Sequence, residues 1–187
     1  MKIGVAAGLA LTLTCHGAWA ISNRMWIDSG KAVAYSMPAV AAGVAVYKRD
    51  WQGLAELAVV TGLTYGTAYG LKHLVRDCRP FAKPCTHDGG DWDSFPSTTS
   101  AISSAPSAFM WRRYGWEWGL PMFVISKYPG FAMDKAKQNK LLDGLAVTAI
   151  SWGYNAIFTT RYHANRGFHT DLEGDAGGAY VRVAYRF

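Results

Sequence analysis

Lys72, Arg79 and Pro80 frame the stretch Lys-His-Leu-Val-Arg-Asp-Cys-Arg-Pro, the part of this 187-residue chain whose residue types and spacing most readily suggest chemistry. On a helix, seven positions make two turns, so the Lys72 ammonium and the Arg79 guanidinium project from one face and Pro80 closes the helix behind them. Two cations on a rigid face suit a phosphoryl group, the arginine as a planar fork and the lysine as a point charge. A solvated basic helix end, favoured by the macrodipole, accounts for the same spacing. Downstream, Ser97 and Thr98 precede an Ala- and Ser-rich helix, where a hydroxyl is either an ordinary N-cap or part of an anion site built from helix-terminal amides. Cys78 and Cys85 read as a disulfide pair in an oxidising compartment, joining the end of the Lys72 helix to the loop after it. His87, Asp88, Asp91 and Asp93 lie nearby but lack paired-ligand spacing, so neither a metal nor any other cofactor is expected.

The elements that must position these residues follow from pattern. Residues 1–20 carry one cation at Lys2, an apolar run and a closing Ala18-Trp19-Ala20, which is the form of a secretory signal peptide and predicts export to the periplasm or cell envelope. Its removal takes Cys15 with it and lowers the formal charge from +6 to +5, since Lys2 is the one charged residue lost. The remaining residues suffice for one domain, 21–160, followed by a tail, 161–187. A basic exported protein favours anionic surfaces such as phospholipid or lipopolysaccharide headgroups. A nucleic-acid role is disfavoured, because no run of Lys and Arg interleaved with aromatics appears.

The expected fold is mainly α, a helical bundle ending in a short β-hairpin. Lys31–Tyr47 reads as a helix kinked or split at Pro38, and Leu54–Val75 as a second that delivers Lys72. Gly62, Gly66 and Gly70, four apart, predict a smooth strip where another helix approaches closely. Further helices are expected from about Ser97 to Tyr114, from Trp116 to about Met133, and from Leu141 to Thr160. The uncharged runs fall short of the roughly 20 residues a membrane span needs, which favours helices buried in a bundle that is at most peripheral to a membrane. In the tail, Ala179, Val181, Val183, Tyr185 and Phe187 alternate with polar or small residues after Gly177-Gly178, the pattern of a hairpin strand.

Three segments together resemble the type 2 phosphatidic acid phosphatase superfamily, over roughly residues 30–160. That family's first motif, Lys, six residues, Arg-Pro, is matched in full by Lys72, Arg79 and Pro80. Its second, Pro-Ser-Gly-His, is opened by Pro96-Ser97, with Thr98 and Thr99 where Gly and His belong. Its third, Ser-Arg, five residues, His, three residues, Asp, aligns with Ala132 and Met133, then Asn139, then Asp143. The resemblance implies that Lys72, Arg79 and Ser97 hold phosphoryl oxygens and that Asp143 is the residue that once oriented a nucleophilic histidine.

In the family, the third-motif histidine attacks phosphorus and the second-motif histidine protonates the leaving group. Asn139 has no basic lone pair comparable to imidazole and cannot carry a labile phosphoryl group. Thr99 titrates far above neutral pH and cannot replace the acid. Met133 removes a guanidinium fork whose charge-assisted bonds contribute about 1.5–3 kcal/mol each. Loss of a nucleophile alone costs roughly a million-fold where catalytic residues act as a unit. The expectation is an exported phosphatase-fold protein that binds phosphate-bearing lipid or saccharide headgroups without the family's catalysis. Alternatives are an active phosphatase with a site rebuilt from Ser97, Thr99, His163 or His169, and an envelope scaffold needing no anion. Asn139 and Asp143, four apart, would pair amide to carboxylate if both were helical.

Overall fold

Five helices build the domain in chain order: α1 (Asn23–Tyr47), α2 (Trp51–Val75), α3 (Thr98–Tyr114), α4 (Trp116–Lys135) and α5 (Leu141–Phe158). They are seen in a computed structural model that describes residues 22–82, 84–86 and 92–163 in full, and 167–175 and 178–186 by backbone alone. The expected signal peptide lies outside the described residues. The chain is mainly helical, as its patterning predicts. Among the described residues no helix is long and apolar enough to cross a membrane.

The helix α3 is the axis of the bundle, packing against all four others. Its composition explains this. Ala101, Ser103, Ser104, Ala105, Ser107 and Ala108 are buried, and such small side chains let neighbouring backbones approach from every side. Their hydroxyls are satisfied locally or across helices: Ser103 Oγ donates to the Ser126 carbonyl at 3.1 Å, and Ser107 Oγ to the Ser104 carbonyl at 2.9 Å. The apolar core sits in the half of the bundle away from Lys72, where Met37, Leu57, Val60, Phe109, Met110 and Met122 meet.

The helix α1 begins earlier than its sequence pattern suggests and runs as one assigned helix through Pro38. The strip of Gly62, Gly66 and Gly70 is also unlike the expectation, since nothing among the described residues lies within 4 Å of where a Cβ would stand at any of them. The reason is the row that α2 buries instead: Leu57, Val60, Thr64, Ala68 and Lys72, spaced by three and four, face the bundle and the glycines fall off that row.

Successive helices alternate in direction, so the ends of α1, α3 and α5 gather with the starts of α2 and α4. There Arg113 binds Asp50 through two bonds, Nε to Oδ2 at 2.6 Å and Nη2 to Oδ1 at 2.5 Å. Its Nη1 reaches Glu56 at 3.1 Å and Thr160 Oγ1 at 2.6 Å. Tyr114 donates its hydroxyl to Asp50 at 2.8 Å, and the Gly53 amide donates to Asp50 at 2.8 Å. A Cβ on Gly53 would stand 2.2 Å from Asp50 Oδ2, so glycine leaves room for the pair. Burial pushes the Asp50 carboxyl up, but bonds from Arg113, Gly53 and Tyr114 outweigh it and hold the group below the usual carboxylate range.

Candidate functional site

Lys72 reaches the site as the last member of the buried row of α2, with 6% of the residue exposed. The helix stops three residues later. Arg76 adopts the left-handed conformation, φ 50°, and its amide closes the helix on the Lys72 carbonyl. Arg79 therefore lies beyond the helix, and the two cations do not share a helical face as their spacing predicts. The chain turns at Arg76 and brings Arg79 back by a different path. The disulfide Cys78–Cys85, Cα atoms 6.1 Å apart, encloses Arg79 in a short loop, and the Phe81 amide bonds to the Lys137 carbonyl at 3.3 Å. The expected disulfide is present.

The two cations converge on Asp93. Arg79 Nε donates to Asp93 Oδ1 at 2.5 Å, while Lys72 Nζ stands 3.9 Å from Asp93 Oδ2 and donates to the Asp93 backbone carbonyl. Arg79 Nη1 also donates to Gln138, to its carbonyl at 3.0 Å and its Oε1 at 2.8 Å. Burial lowers the affinity of Lys72 for its proton below the ordinary lysine range; Asp93 and Asp143 oppose that shift and Arg79 adds to it. That field brings Lys72, Arg79, Asp93 and Asp143 into one electrostatic neighbourhood. Burial raises the Asp93 carboxyl, but Arg79 and then Lys72 hold it below its usual value.

Asp143 sits in the first turn of α5, 2% exposed, and its Oδ2 accepts from Ser94 Oγ at 2.6 Å and from the Lys140 amide at 2.8 Å. Asn139 precedes that helix. It donates its side-chain amide to the Ser94 carbonyl, so the expected Asn139–Asp143 pair gives way to two separate bonds to Ser94. Ser97 caps α3, its Oγ accepting from the Ser100 amide at 3.3 Å, and its own amide reaches the Asp143 carbonyl at 3.4 Å. Thr99 is half-buried in the first turn of α3. Met133 is buried at the end of α4, and its carbonyl accepts from the amides of Gln138 and Asn139 at 2.8 and 3.4 Å. The structure thus brings Lys72 and Arg79 together through Asp93, and Asn139 and Asp143 together around Ser94, with Ser97 joined to Asp143.

Ser94 and Gln138 are site residues that sequence reasoning missed, and Asp93 enters there only as a metal ligand. Their signal was position: Asp93-Ser94 immediately precedes Phe95-Pro96-Ser97, and Gln138 precedes Asn139. A cleft of about 540 Å³ opens beside this cluster, lined by Val75, Phe95 and Leu142 with Arg76, Lys140 and Asp143, whereas Lys72 and Arg79 are not on its wall. Among the described residues no group of three or more His, Cys, Asp or Glu could hold a metal. His87, Asp88 and Asp91 lie outside the described residues.

His73 is exposed, its Nδ1 2.9 Å from the Tyr69 carbonyl and its ring against Tyr69 and Trp92. His163 follows Tyr162, whose amide bonds to the Arg113 carbonyl at 2.9 Å and whose hydroxyl donates to the Lys48 carbonyl at 3.1 Å. It therefore belongs to the Arg113 end, about 30 Å from Lys72 along α2. A site rebuilt around His163 is not available to the cations at Lys72 and Arg79. The side chain of His169 lies outside the described residues.

The chain is 31% identical over 151 residues to the lipid A 4'-phosphatase of Helicobacter pylori, a match that covers 76% of this chain and 75% of that protein. No protein-family model matches the chain. No solved structure matches it.

Proposed function

The chain belongs to the type 2 phosphatidic acid phosphatase superfamily, and from that premise we propose a lipid-phosphatase-like protein that binds phosphate-bearing lipid or saccharide headgroups but has lost phosphohistidine catalysis. Lys72 and Arg79 are the proposed oxygen binders. Ser97 supports them through the start of α3, and Asp143 is what remains of the nucleophile's orienting group. The observation that carries the reading is the convergence of Lys72 and Arg79 on one three-oxygen cluster, beside an Asn139 amide engaged by Ser94. A carboxamide nitrogen, its lone pair delocalised into the carbonyl, is no nucleophile toward phosphorus. Thr99 and Met133, at the proposed positions of the acid and of a second guanidinium, supply neither a proton near neutral pH nor a charge-assisted bond.

The chain's ligand, like that implied by the name of its relative, is a phosphorylated amphiphile. The cleft offers such a molecule an apolar wall of Val75, Phe95 and Leu142 beside Arg76, with Lys140 held by Asp77 on the same wall. Export to the envelope and a peripheral seat on a membrane surface belong to the same proposal, supported by a formal charge that stays basic, +5 once residues 1–20 are removed. So does a terminal hairpin, in which the backbone of β1 (Gly167–Asp175) pairs antiparallel with that of β2 (Gly178–Arg186). Calorimetry with inorganic phosphate and with vanadate tests the reading. Binding by the wild-type protein and its loss in Arg79→Ala are expected, and no binding heat from either protein would favour an envelope scaffold instead.

The relative's named activity favours one second reading, a working phosphatase with nucleophile or acid drawn from Ser97, Thr99 or His169. Restoring Thr99→His, Met133→Arg and Asn139→His separates the two readings. A gain from no activity supports degeneracy, and the loss of an existing activity supports a rebuilt site.

A further inference from the structure

We propose that Lys127 anchors a second anion site, in the seam between α4 and α5, which takes the anionic group of an alkyl-chain amphiphile and lays its chain on Phe123, Trp111 and Trp152. The site is separate from the cradle of Lys72 and Arg79 and does not rest on that reading.

Lys127 is a half-buried cation with no anion to meet it. Its Nζ donates to Thr148 Oγ1 at 3.0 Å and lies 4.3 Å from the centroid of the Phe123 ring. Among the described residues no carboxylate pairs with it. The acids of its own helix, Asp134 and Glu117, stand about 10 and 15 Å away along the axis. The acid of α5, Asp143, is bound by Ser94 Oγ and the Lys140 amide. On α1, which also packs against α4, Asp28 pairs with Arg24, and α3 carries no acid. Burial alone lowers the affinity of Lys127 for its proton, whereas at Lys72 two carboxylates oppose that shift. A lysine that only covered apolar surface would carry its ammonium out to water; this one turns it to a hydroxyl and a ring face.

Donors are in surplus along the same seam. Thr148 Oγ1 gives its proton to the Gly144 carbonyl at 2.9 Å, and Ser104 Oγ lies 3.3 Å from it. One turn along α3 from Ser104, Ser100 Oγ is buried without a hydrogen-bond partner among the described residues, packed against both Gly130 and Gly144. An ammonium has three N–H groups, and Lys127 spends one of them on the protein. A phosphate, sulfate or carboxylate, which only accepts, supplies what this stretch lacks.

The other half of the seam is apolar. The rings of Phe123, Trp111 and Trp152 meet edge to face with centroids 5.8 to 6.2 Å apart, and all three are half-buried. Val124 and Leu145 are exposed on the same two helices. A cation with hydroxyls that leads onto a group of rings matches a charged headgroup followed by an alkyl chain.

Calorimetry of the full chain with decyl phosphate, below the concentration at which it forms micelles, and with decanol tests the site. The proteins are wild type, Lys127→Met, Lys127→Gln and Arg79→Ala, each verified as folded by thermal unfolding. Both Lys127 variants are expected to bind decyl phosphate at the seam about 10- to 100-fold more weakly than wild type, and decanol is expected to bind wild type more weakly by a similar factor. Two sites in wild type, with one left in the Lys127 variants and one in Arg79→Ala, would support the seam and the cradle together. One wild-type site that the Lys127 variants lose and Arg79→Ala keeps would support the seam and overturn the cradle. One site that Arg79→Ala loses and the Lys127 variants keep would overturn the seam and leave the cradle standing. Decanol bound as tightly as decyl phosphate, or no binding of decyl phosphate by wild type, would also overturn the seam. Phosphatidylcholine vesicles with and without phosphatidic acid separate the sources of the anion: Lys127-dependent binding of the anionic vesicles supports the site with a bilayer lipid, and decyl phosphate binding without it supports the site with a free amphiphile.

Discussion

Each end of the bundle places an arginine against an aspartate, and the two pairs differ in how completely they are enclosed. Arg113 is met by two carboxylates, a hydroxyl and a carbonyl, and its side chain and that of Asp50 are each 4% exposed. Arg79 meets Asp93 through a single nitrogen, and its side chain is 17% exposed beside an open cleft. The Arg113 end also ties the chain beyond α5 in place, with Lys48 Nζ 5.1 to 5.7 Å from the ring centroids of Tyr114, Trp118 and Tyr162. The same two residue types thus make a fully buried fastener at one end of the bundle, and at the other a more exposed pair whose arginine Gln138 also holds.

The largest expected effect separates the two ends by stability. Arg113→Ala leaves Asp50 buried without its partner and should lower unfolding stability by about 3–5 kcal/mol. Arg79→Ala removes half-buried bonds and should cost about 1–2 kcal/mol. Urea unfolding of both variants measures the difference, and the reverse order would break the comparison.

Reduction of Cys78–Cys85 comes next. Opening a loop this short should cost about 2–3 kcal/mol on the loop-entropy account. The loss should be local: amide exchange is expected to quicken around Arg79 and Asp93 while the end of α3 at Arg113 keeps its protection. Equal loosening of both ends would mean that the disulfide supports the bundle rather than the cradle.

Acid sharpens the contrast further. Because the folded Asp50 carboxyl lies below its ordinary 3.8, its contribution is fully present above that pH and is lost as pH falls through the folded value. Asp93 is shifted in the same direction. Below pH about 4 the wild type should lose stability with a slope that Asp50→Asn flattens more than Asp93→Asn does, as followed by urea unfolding across pH.

The smallest effect concerns the face that neither cluster uses. Gly66 has nothing among the described residues within 4 Å of an added Cβ, so Gly66→Ala should stabilise α2 by about 0.5–1 kcal/mol. A loss in thermal unfolding would instead show that another body packs on that strip.

Much of the helical frame was legible because apolar and small residues recur at helical spacing and Gly115 and Pro96 punctuate it. The convergence of the first motif was legible only in part. Nothing in the run from Gly70 to Arg79 announces that Arg76 takes a left-handed turn, and Pro80 marks a later stop, so the two cations were set on one face that the chain does not make. Asp93 was hidden because a lone acid in a loop of aspartates gives no hint of its partners. The Asp50–Arg113 pair joins residues 63 positions apart, which no local pattern encodes. The glycine strip misled because spacing alone does not say which face of a helix is turned inward.

Release of inorganic phosphate from lipid A by the purified wild-type chain tests the central claim most directly. The account predicts no release above the protein-free rate, even at ligand concentrations where phosphate binding through Arg79 is saturated. Turnover at ordinary enzyme rates, roughly 1 s⁻¹ or faster, would contradict it and place a working nucleophile beside the Lys72–Arg79 cradle.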